Sequence, residues 1–309
     1  MATRGVRSIG RLARVAIALA LVLPSVAAPS PPPASATPAS VERLGGADRY
    51  ATAAAISKAT FAPGVAAAFV ATGATFPDSL AGGSPAGRLK SPILLTTRGE
   101  LPAATRAELT RLAPKQIVVL GGPGAVSTAV EGALRSLTAG TVTRVAGADR
   151  FATAAQISAR YFSPGAPVAY VATGRSFPDA LSAGAAAARL GGPVLLVDRS
   201  TIPTVVRNEL RRLAPRRIVV VGGSAVVSDA VLVALRSYTT GGVTRQAGAD
   251  RYATAAAVSA AAFPRDSGLT VHLASGLGFA DAVAGVPAAI TRGGPLLLTA
   301  HLGPAPHRG

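Results

Sequence analysis

The chain has 309 residues, 49% hydrophobic and 15% charged, with 31 Lys and Arg against 14 Asp and Glu. A chain so apolar is not disordered by composition, and the complete lack of cysteine excludes a disulfide framework, a thiol nucleophile, a cysteine zinc site and an iron–sulfur cluster. The formal charge of +17 draws polyanions at long range without selecting one, and with no tryptophan and few aromatics there is no platform for nucleic-acid bases.

From the N-terminus, "MATRGVRSIGRLAR" supplies four arginines and no acid, "VAIALALVL" an apolar core, and "SVAAPS" small residues at Val26 and Ala28. That order predicts a signal peptide over residues 1–28, cleaved after Ala28. The apolar run is shorter than the roughly 20 residues a bilayer span needs, so no transmembrane anchor is expected after cleavage. Removing the four leader arginines from the 31 basic residues leaves 27 against 14 acidic ones, or +13. Residues 29–40, "PSPPPASATPAS", read as an extended linker too rich in Pro for helix or sheet.

From Val41 the chain repeats itself. "GADRYATAA" at 46–54 returns as "GADRFATAA" at 147–155 and "GADRYATAA" at 248–256, and "VATGATFPDSLAGG" at 70–83 aligns with "VATGRSFPDALSAG" at 171–184 and "LASGLGFADAVAG" at 273–285. "LAPKQIVVLGG" at 112–122 answers "LAPRRIVVVGG" at 213–223, with no third copy. Self-similarity at a spacing of 101 residues marks duplication: repeats at 41–141 and 142–242 and a truncated one at 243–309.

Within repeat 1 the predicted elements alternate. "VERLGG" reads as a strand, "DRYATAAAISKATF" as a helix, "AAFVAT" as a buried strand, "FPDSLAGGSPAGRLK" as a helix and "PILLTT" as a strand. "PAATRAELTRLAP" follows as a helix opened by Pro102, "KQIVVLGG" as a strand and "STAVEGALRSL" as a helix capped by Ser127. Continuously apolar strands between amphipathic helices predict an α/β fold of tandem small parallel sheets with helices on both faces.

Asp48, Asp149 and Asp250, and Asp78, Asp179 and Asp281, each stand where a helix is expected to start, where a carboxylate accepts free amide hydrogens and meets the positive end of the helix dipole. Gly46, Gly147 and Gly248 read as turn glycines, as do Gly121-Gly122 and the pair after Val221, Gly222-Gly223. Those glycine pairs lack the three-glycine pattern and the downstream acid of a dinucleotide loop, but a strand, Gly-Gly and helix start still offers amides to an anion.

Catalytic patterns fail the same inspection. His272, His301 and His307 have no counterparts in the first two repeats, their spacing matches no zinc motif, and no Gly-x-Ser-x-Gly elbow occurs. No metal, cofactor or catalytic residue is predicted, and a binding protein is expected in place of an enzyme.

The blocks "RLGGADRYATAAAIS", "FVATGATFPDSLAGG", "PILLT" and "IVVLGG", in this order and repeated, resemble the type 2 cell-wall-binding repeats of Gram-positive surface proteins, from Val41 to Thr299. The resemblance implies three α/β repeats in a compact, roughly threefold unit that attaches non-covalently to an anionic secondary cell-wall polymer, and so a secreted, wall-associated protein. The family's Arg-x-x-Gly-x-Asp-Arg falls on Arg43, Gly46, Asp48 and Arg49, on Arg144, Gly147, Asp149 and Arg150, and on Arg245, Gly248, Asp250 and Arg251. The six arginines are the polymer-binding candidates; the alternative is that they close contacts between repeats. Other readings are an N-acetylmuramoyl-L-alanine amidase or another wall-remodelling enzyme, since such repeats accompany effectors, and a surface-layer or scaffold protein. The third repeat lacks a helix and a strand, which is expected to leave its sheet one strand short with an edge open to self-association.

Overall fold

The computed structural model describes residues 40–263 and 269–300; the expected signal peptide and nearly all of the Pro-rich linker lie outside the described residues. Repeat 1 runs α1 (Arg49–Thr60), β1 (Ala68–Thr72), α2 (Gly83–Arg88), β2 (Ile93–Thr96), α3 (Ala103–Leu112), β3 (Gln116–Leu120), α4 (Thr128–Leu134) and β4 (Thr141–Val145). The strands are all parallel in the order β2-β1-β3-β4, with Phe69 level with Ile93 and Val118. All five residues of β1 are buried, because helices cover both faces of the sheet, and this is why its sequence is apolar without alternation. On one face Val70 and Leu94 pack with Leu109 and Leu112 of α3 and Val130 and Leu134 of α4.

Repeat 2 follows the same plan: α5 (Arg150–Tyr161), β5 (Ala169–Thr173), α6 (Pro178–Leu190), β6 (Val194–Val197), α7 (Thr204–Leu213), β7 (Ile218–Val221), α8 (Asp229–Leu235) and β8 (Val243–Gln246), with strand order β6-β5-β7-β8. The structural unit is offset from the sequence unit. The segment that opens the second repeat in sequence is β4, which completes the sheet of the first, and a boundary at 141/142 falls inside that strand. Residues 41–46, the corresponding segment of repeat 1, form no strand, contrary to the sequence expectation, because no β3-like strand lies beside them.

Repeat 3 contains α9 (Arg251–Ala262), β9 (His272–Ser275), α10 (Ala280–Thr291) and β10 (Leu296–Thr299). Its sheet has two strands among the described residues, so it is two short of the others and not one. The offset explains the difference: a complete sheet takes its third strand from its own repeat and its fourth from the segment that follows.

The described residues from Arg43 onward form one compact unit. The helices α2, α6 and α10 pack against one another at its centre, and one buried apolar cluster draws on all three repeats. A Cβ on Gly83 of α2 would lie 2.8 Å from Val286 of α10, so the helices approach closer than any side chain there allows. The helix expected from Phe76 starts only at Gly83, in a stretch where Gly82, Gly83 and Pro85 are poor helix formers. The ends of these helices also tie the repeats together. Ser84 donates to the Gly192 carbonyl at 2.6 Å, Arg88 stacks over Phe162, Arg189 over Phe263, and Arg292 donates to the Ala59 carbonyl at 2.6 Å.

Candidate functional site: the junctions between repeats

The repeated Asp-Arg pair sits where one repeat meets another. Asp48, Asp149 and Asp250 are the N-caps of α1, α5 and α9: Asp48 accepts from the amides of Tyr50 and Ala51, Asp149 from Ala152, and Asp250 from Tyr252 and Ala253. Each cap fixes the next residue, an arginine, at the first helical position. Arg49 then donates to the carbonyl of Gly73, Arg150 to that of Gly174 at 2.7 Å and Arg251 to that of Gly276 at 2.6 Å. A Cβ on Gly73 would lie 2.7 Å from the Tyr50 ring and 3.1 Å from Arg49 Cδ, so the site requires glycine there, and Gly174 and Gly276 are equally crowded.

The same guanidinium groups reach across to the neighbouring repeat. Arg49 lies 5.8 Å over the ring of Phe279, Arg150 6.0 Å over Phe76 and Arg251 5.9 Å over Phe177. The three phenylalanines stand together, with ring centroids 5.7, 6.0 and 6.3 Å apart in tilted or edge-on arrangements. Repeat 1 is thereby joined to 3, repeat 2 to 1, and repeat 3 to 2, in a closed cycle. Sequence reasoning passed over the phenylalanines and Gly73, Gly174 and Gly276, although all recur in the aligned "TG..F" and "SG..F" blocks.

Asp78, Asp179 and Asp281 do not cap helices in the way expected of them. Phe177 and Phe279 hold the N-cap positions of α6 and α10, with Asp179 and Asp281 in the first turns, and Asp78 precedes α2 altogether. The carboxylates of Asp179 and Asp281 are desolvated. Burial pushes Asp179 above the usual carboxylate range against the opposing pull of Arg251, and it pushes up Asp281 against that of Arg49. Asp78 and Asp179 also press against the loops after β3 and β7, where Gly121 and Gly222 adopt φ of +97° and +104°. Gly122 keeps an ordinary φ, as do Gly46, Gly147 and Gly248. The last three serve close approach instead of a left-handed turn: a Cβ on Gly46 would lie 2.6 Å from the Ala51 backbone.

Arg144 and Arg245 lie away from the junctions. Arg144, on β4, donates to the Gly121 carbonyl at 2.6 Å and pairs with Glu131 at 2.7 Å; Arg245, on β8, donates to Gly222 at 2.6 Å and pairs with Asp229 at 2.9 Å. They brace the glycine loops. Arg43 is exposed, ahead of α1. The six arginines thus divide into three at the junctions, two at the loop rims and one in the leading segment.

At the junction of repeats 3 and 1 an open crevice of about 310 Å³ is lined by Asp48, Arg49 and Thr52 from one side and Gly278, Phe279 and Asp281 from the other. Among the described residues no group of three His, Cys, Asp or Glu could hold a metal ion. The His272 side chain leaves Nδ1 without a hydrogen-bond partner, and burial holds its pKa below the usual histidine value. His301 and His307 lie outside the described residues.

The profile of the cell wall binding domain 2 family matches residues 43–131, 144–232 and 245–306. The chain belongs to this family. Among relatives of these wall-binding repeats, the N-acetylmuramoyl-L-alanine amidase LytC of Bacillus subtilis is 29% identical over 260 residues, 84% of this chain and 50% of that protein. The amidase enhancer of the same organism is 30% identical over 211 residues, 68% of this chain and 28% of that protein. Two solved structures from Clostridium difficile have the same fold: Cwp6, with a TM-score of 0.78 at 27% identity over 83% of this chain and 41% of that one, and Cwp8, with 0.75 at 28% over 83% and 44%. The chain spans half or less of the length of each.

Proposed function

We propose that this chain is a non-catalytic attachment protein, exported through its N-terminal leader and held at the cell surface by an anionic secondary wall polymer that lies along the repeat junctions. The observation that carries the reading is the recurrence, at three junctions, of a guanidinium and an aromatic ring from two different repeats, joined at two of them by a desolvated carboxylate. A guanidinium fork suits a phosphate or carboxylate of the polymer, and carboxylates accept sugar hydroxyls. Asp179 and Asp281 are kept where burial disfavours their charge, a cost expected at a binding site more than at a structural one. Three junctions on one rigid body add weak contacts along a repeating polymer.

The crevice between repeats 3 and 1 carries the smaller side chains at its mouth. Gly278 and Ala280 stand there in place of Thr75 and Pro77 and of Ser176 and Pro178, so less side chain crowds the opening. Similarity to an amidase adds no catalytic role. In this reading the similarity, over 260 residues, arises from the wall-binding repeats matched between residues 43 and 306, and none of the three histidines recurs between repeats.

The test is sedimentation of the mature chain with purified cell walls over a salt series, before and after chemical removal of the secondary polymer. Binding should fall with salt and disappear on stripping. Binding indifferent to both would overturn the reading in favour of bare peptidoglycan or a protein, and clearing of the walls would establish an enzyme. N-terminal sequencing of surface-extracted protein should begin near Pro29; a chain still starting at its first residues would refute export through the leader.

A further inference from the structure

Beside the edge strand of the first sheet the chain forms a second open crevice, of about 330 Å³. It is lined by Arg144, Val145 and Ala146 on one side and by Gln156, Ala159 and Arg160 of α5 on the other. Because β4 is the last strand of a four-stranded sheet and α5 follows it directly, this crevice belongs to the interior of the repeat array.

Its helix side is peculiar to repeat 2. Gln156 and Arg160, one turn apart and both exposed, stand where α1 has Ala55 and Ala59 and α9 has Ala257 and Ala261. A helix forms at least as readily with alanine, so the two polar side chains are not needed for α5 itself. Arg160 has no acidic partner among the described residues. It donates to Thr143 Oγ1 at 3.3 Å and lies 5.7 Å over the ring of Tyr161. Glu131 of α4 is already taken up by Arg144 at 2.7 Å and Arg135 at 3.7 Å.

The strand side offers main-chain groups. The Val145 carbonyl accepts from the Gly121 amide on the side of β3, so by the alternation of a parallel ladder Arg144 turns its own amide and carbonyl the other way. Among the described residues no strand pairs with β4 on that side.

We infer that this crevice binds a short extended acidic peptide, which adds to the edge of β4 through its main chain and sets a carboxylate against Arg160. The chemistry of the walls selects that ligand. The outward amide and carbonyl of Arg144 match the main chain of a strand, which a sugar phosphate lacks. The side-chain amide of Gln156 can donate to and accept from a peptide group, and Arg160 brings a planar fork suited to a carboxylate. The volume is at the small end for ligand sites, so a segment of about three residues is expected and not a folded partner. The inference is separate from the wall-polymer reading, which rests on Arg49, Arg150 and Arg251 at the repeat junctions.

The experiment is a titration of the isotope-labelled mature chain with acetyl-Val-Ala-Glu, followed by amide chemical shifts. Saturable shifts are expected at Arg144, Ala146, Gln156 and Arg160. Arg160→Ala should weaken binding by about tenfold or more, and Gln156→Ala by less. Both replacements install the residue that α1 and α9 carry, so circular dichroism should not change. Methylating the peptide nitrogens should weaken binding to the unaltered chain as well, and inorganic phosphate should not compete. Arg207→Ala, on the exposed face of α7, should bind as the unaltered chain does. The inference would be overturned by the lack of saturable shifts at millimolar peptide, or by equal losses in Arg207→Ala and Arg160→Ala. Binding that ignores methylation and yields to phosphate would make the crevice a simple anion site and overturn it too.

Discussion

Repeats 2 and 3 share an ancestry, a helix start at Asp-Arg and a pair of parallel strands, yet the same positions meet opposite surroundings. Val171 of β5 is sealed beneath helices, while Leu273 of β9 faces solvent. Tyr170 is buried without exposure, its hydroxyl pushed up to about 12 by desolvation, whereas His272 replaces it in the third repeat with an unpartnered ring nitrogen. The comparison separates what a repeat needs in order to pack against its neighbours from what it needs in order to close its own sheet. Among the described residues repeat 3 retains the first in full, through α9, α10, Arg251 and Phe279, and two strands of the second.

The sharpest way to break the comparison is to place a charge at the matched positions. Val171→Asp buries a carboxylate with no partner and should cost about 4 kcal/mol or more, enough to unfold the chain or nearly so. Leu273→Asp should cost less than about 1 kcal/mol in the monomer, because the side chain is already in water. Urea denaturation of the two variants checks this, and equal losses would mean that the third sheet is as well covered as the second.

A smaller effect is expected at the junctions. Arg150→Ala removes both the 2.7 Å bond to Gly174 and the stack on Phe76, which together should cost about 1–2 kcal/mol. Arg207→Ala, on the exposed face of α7, should change stability by less than about 0.5 kcal/mol. If the junction arginines also meet polymer, the Arg49→Ala and Arg150→Ala pair should lose wall binding beyond the Arg106→Ala and Arg207→Ala pair at temperatures where all remain folded. Equal binding losses with no loss of stability would reduce the motif to general charge.

The third comparison sets His272 against the aromatic residues it replaces. Burial lowers its folded pKa below the ordinary value of 6.5, so the unfolded chain binds the proton more readily. The histidine's contribution is therefore intact above about pH 6.5 and is lost as pH falls through its depressed folded pKa. His272→Phe should remove that acid-side loss, raising the melting temperature more at pH 5 than at pH 7. A shift that is the same at both pH values would show that the imidazole does not titrate in this range.

Much of the fold was legible because its causes are local or periodic: three copies of one pattern, apolar strands without alternation, and helices between them. What was not legible depends on which chain segment lies beside which. β4 reads as the start of repeat 2 because nothing in "VTRV" records that its partner is β3. The functional residues divide in the same way. An arginine after a capping aspartate is conspicuous, but its stacking partner lies in another repeat: Phe279 is 230 positions away from Arg49, and only the closed cycle of repeats brings them together. Asp78, Asp179 and Asp281 were read from position alone as caps, whereas Asp78 presses on the Gly121 loop and burial gives Asp179 and Asp281 a different environment.

The smallest expected change in stability concerns those carboxylates. Burial raises Asp179 above its ordinary pKa and outweighs the attraction of Arg251, so the charged form is disfavoured in the folded chain. Because the folded pKa is the higher one, the favourable contribution of the protonated acid is complete below about pH 3.8 and is lost as pH rises through the folded value. At neutral pH the carboxylate is then a net cost, and Asp179→Asn, of nearly equal volume, should raise the melting temperature by a few degrees at most and flatten its dependence on pH just above 3.8. Asp229→Asn, at an exposed ion pair with Arg245, should do neither. If the junction carboxylate contacts the polymer, wall binding should fall in the stabilised Asp179→Asn variant, so that stability and binding move in opposite directions; a variant both more stable and fully able to bind would leave Asp179 a buried acid without a part in attachment.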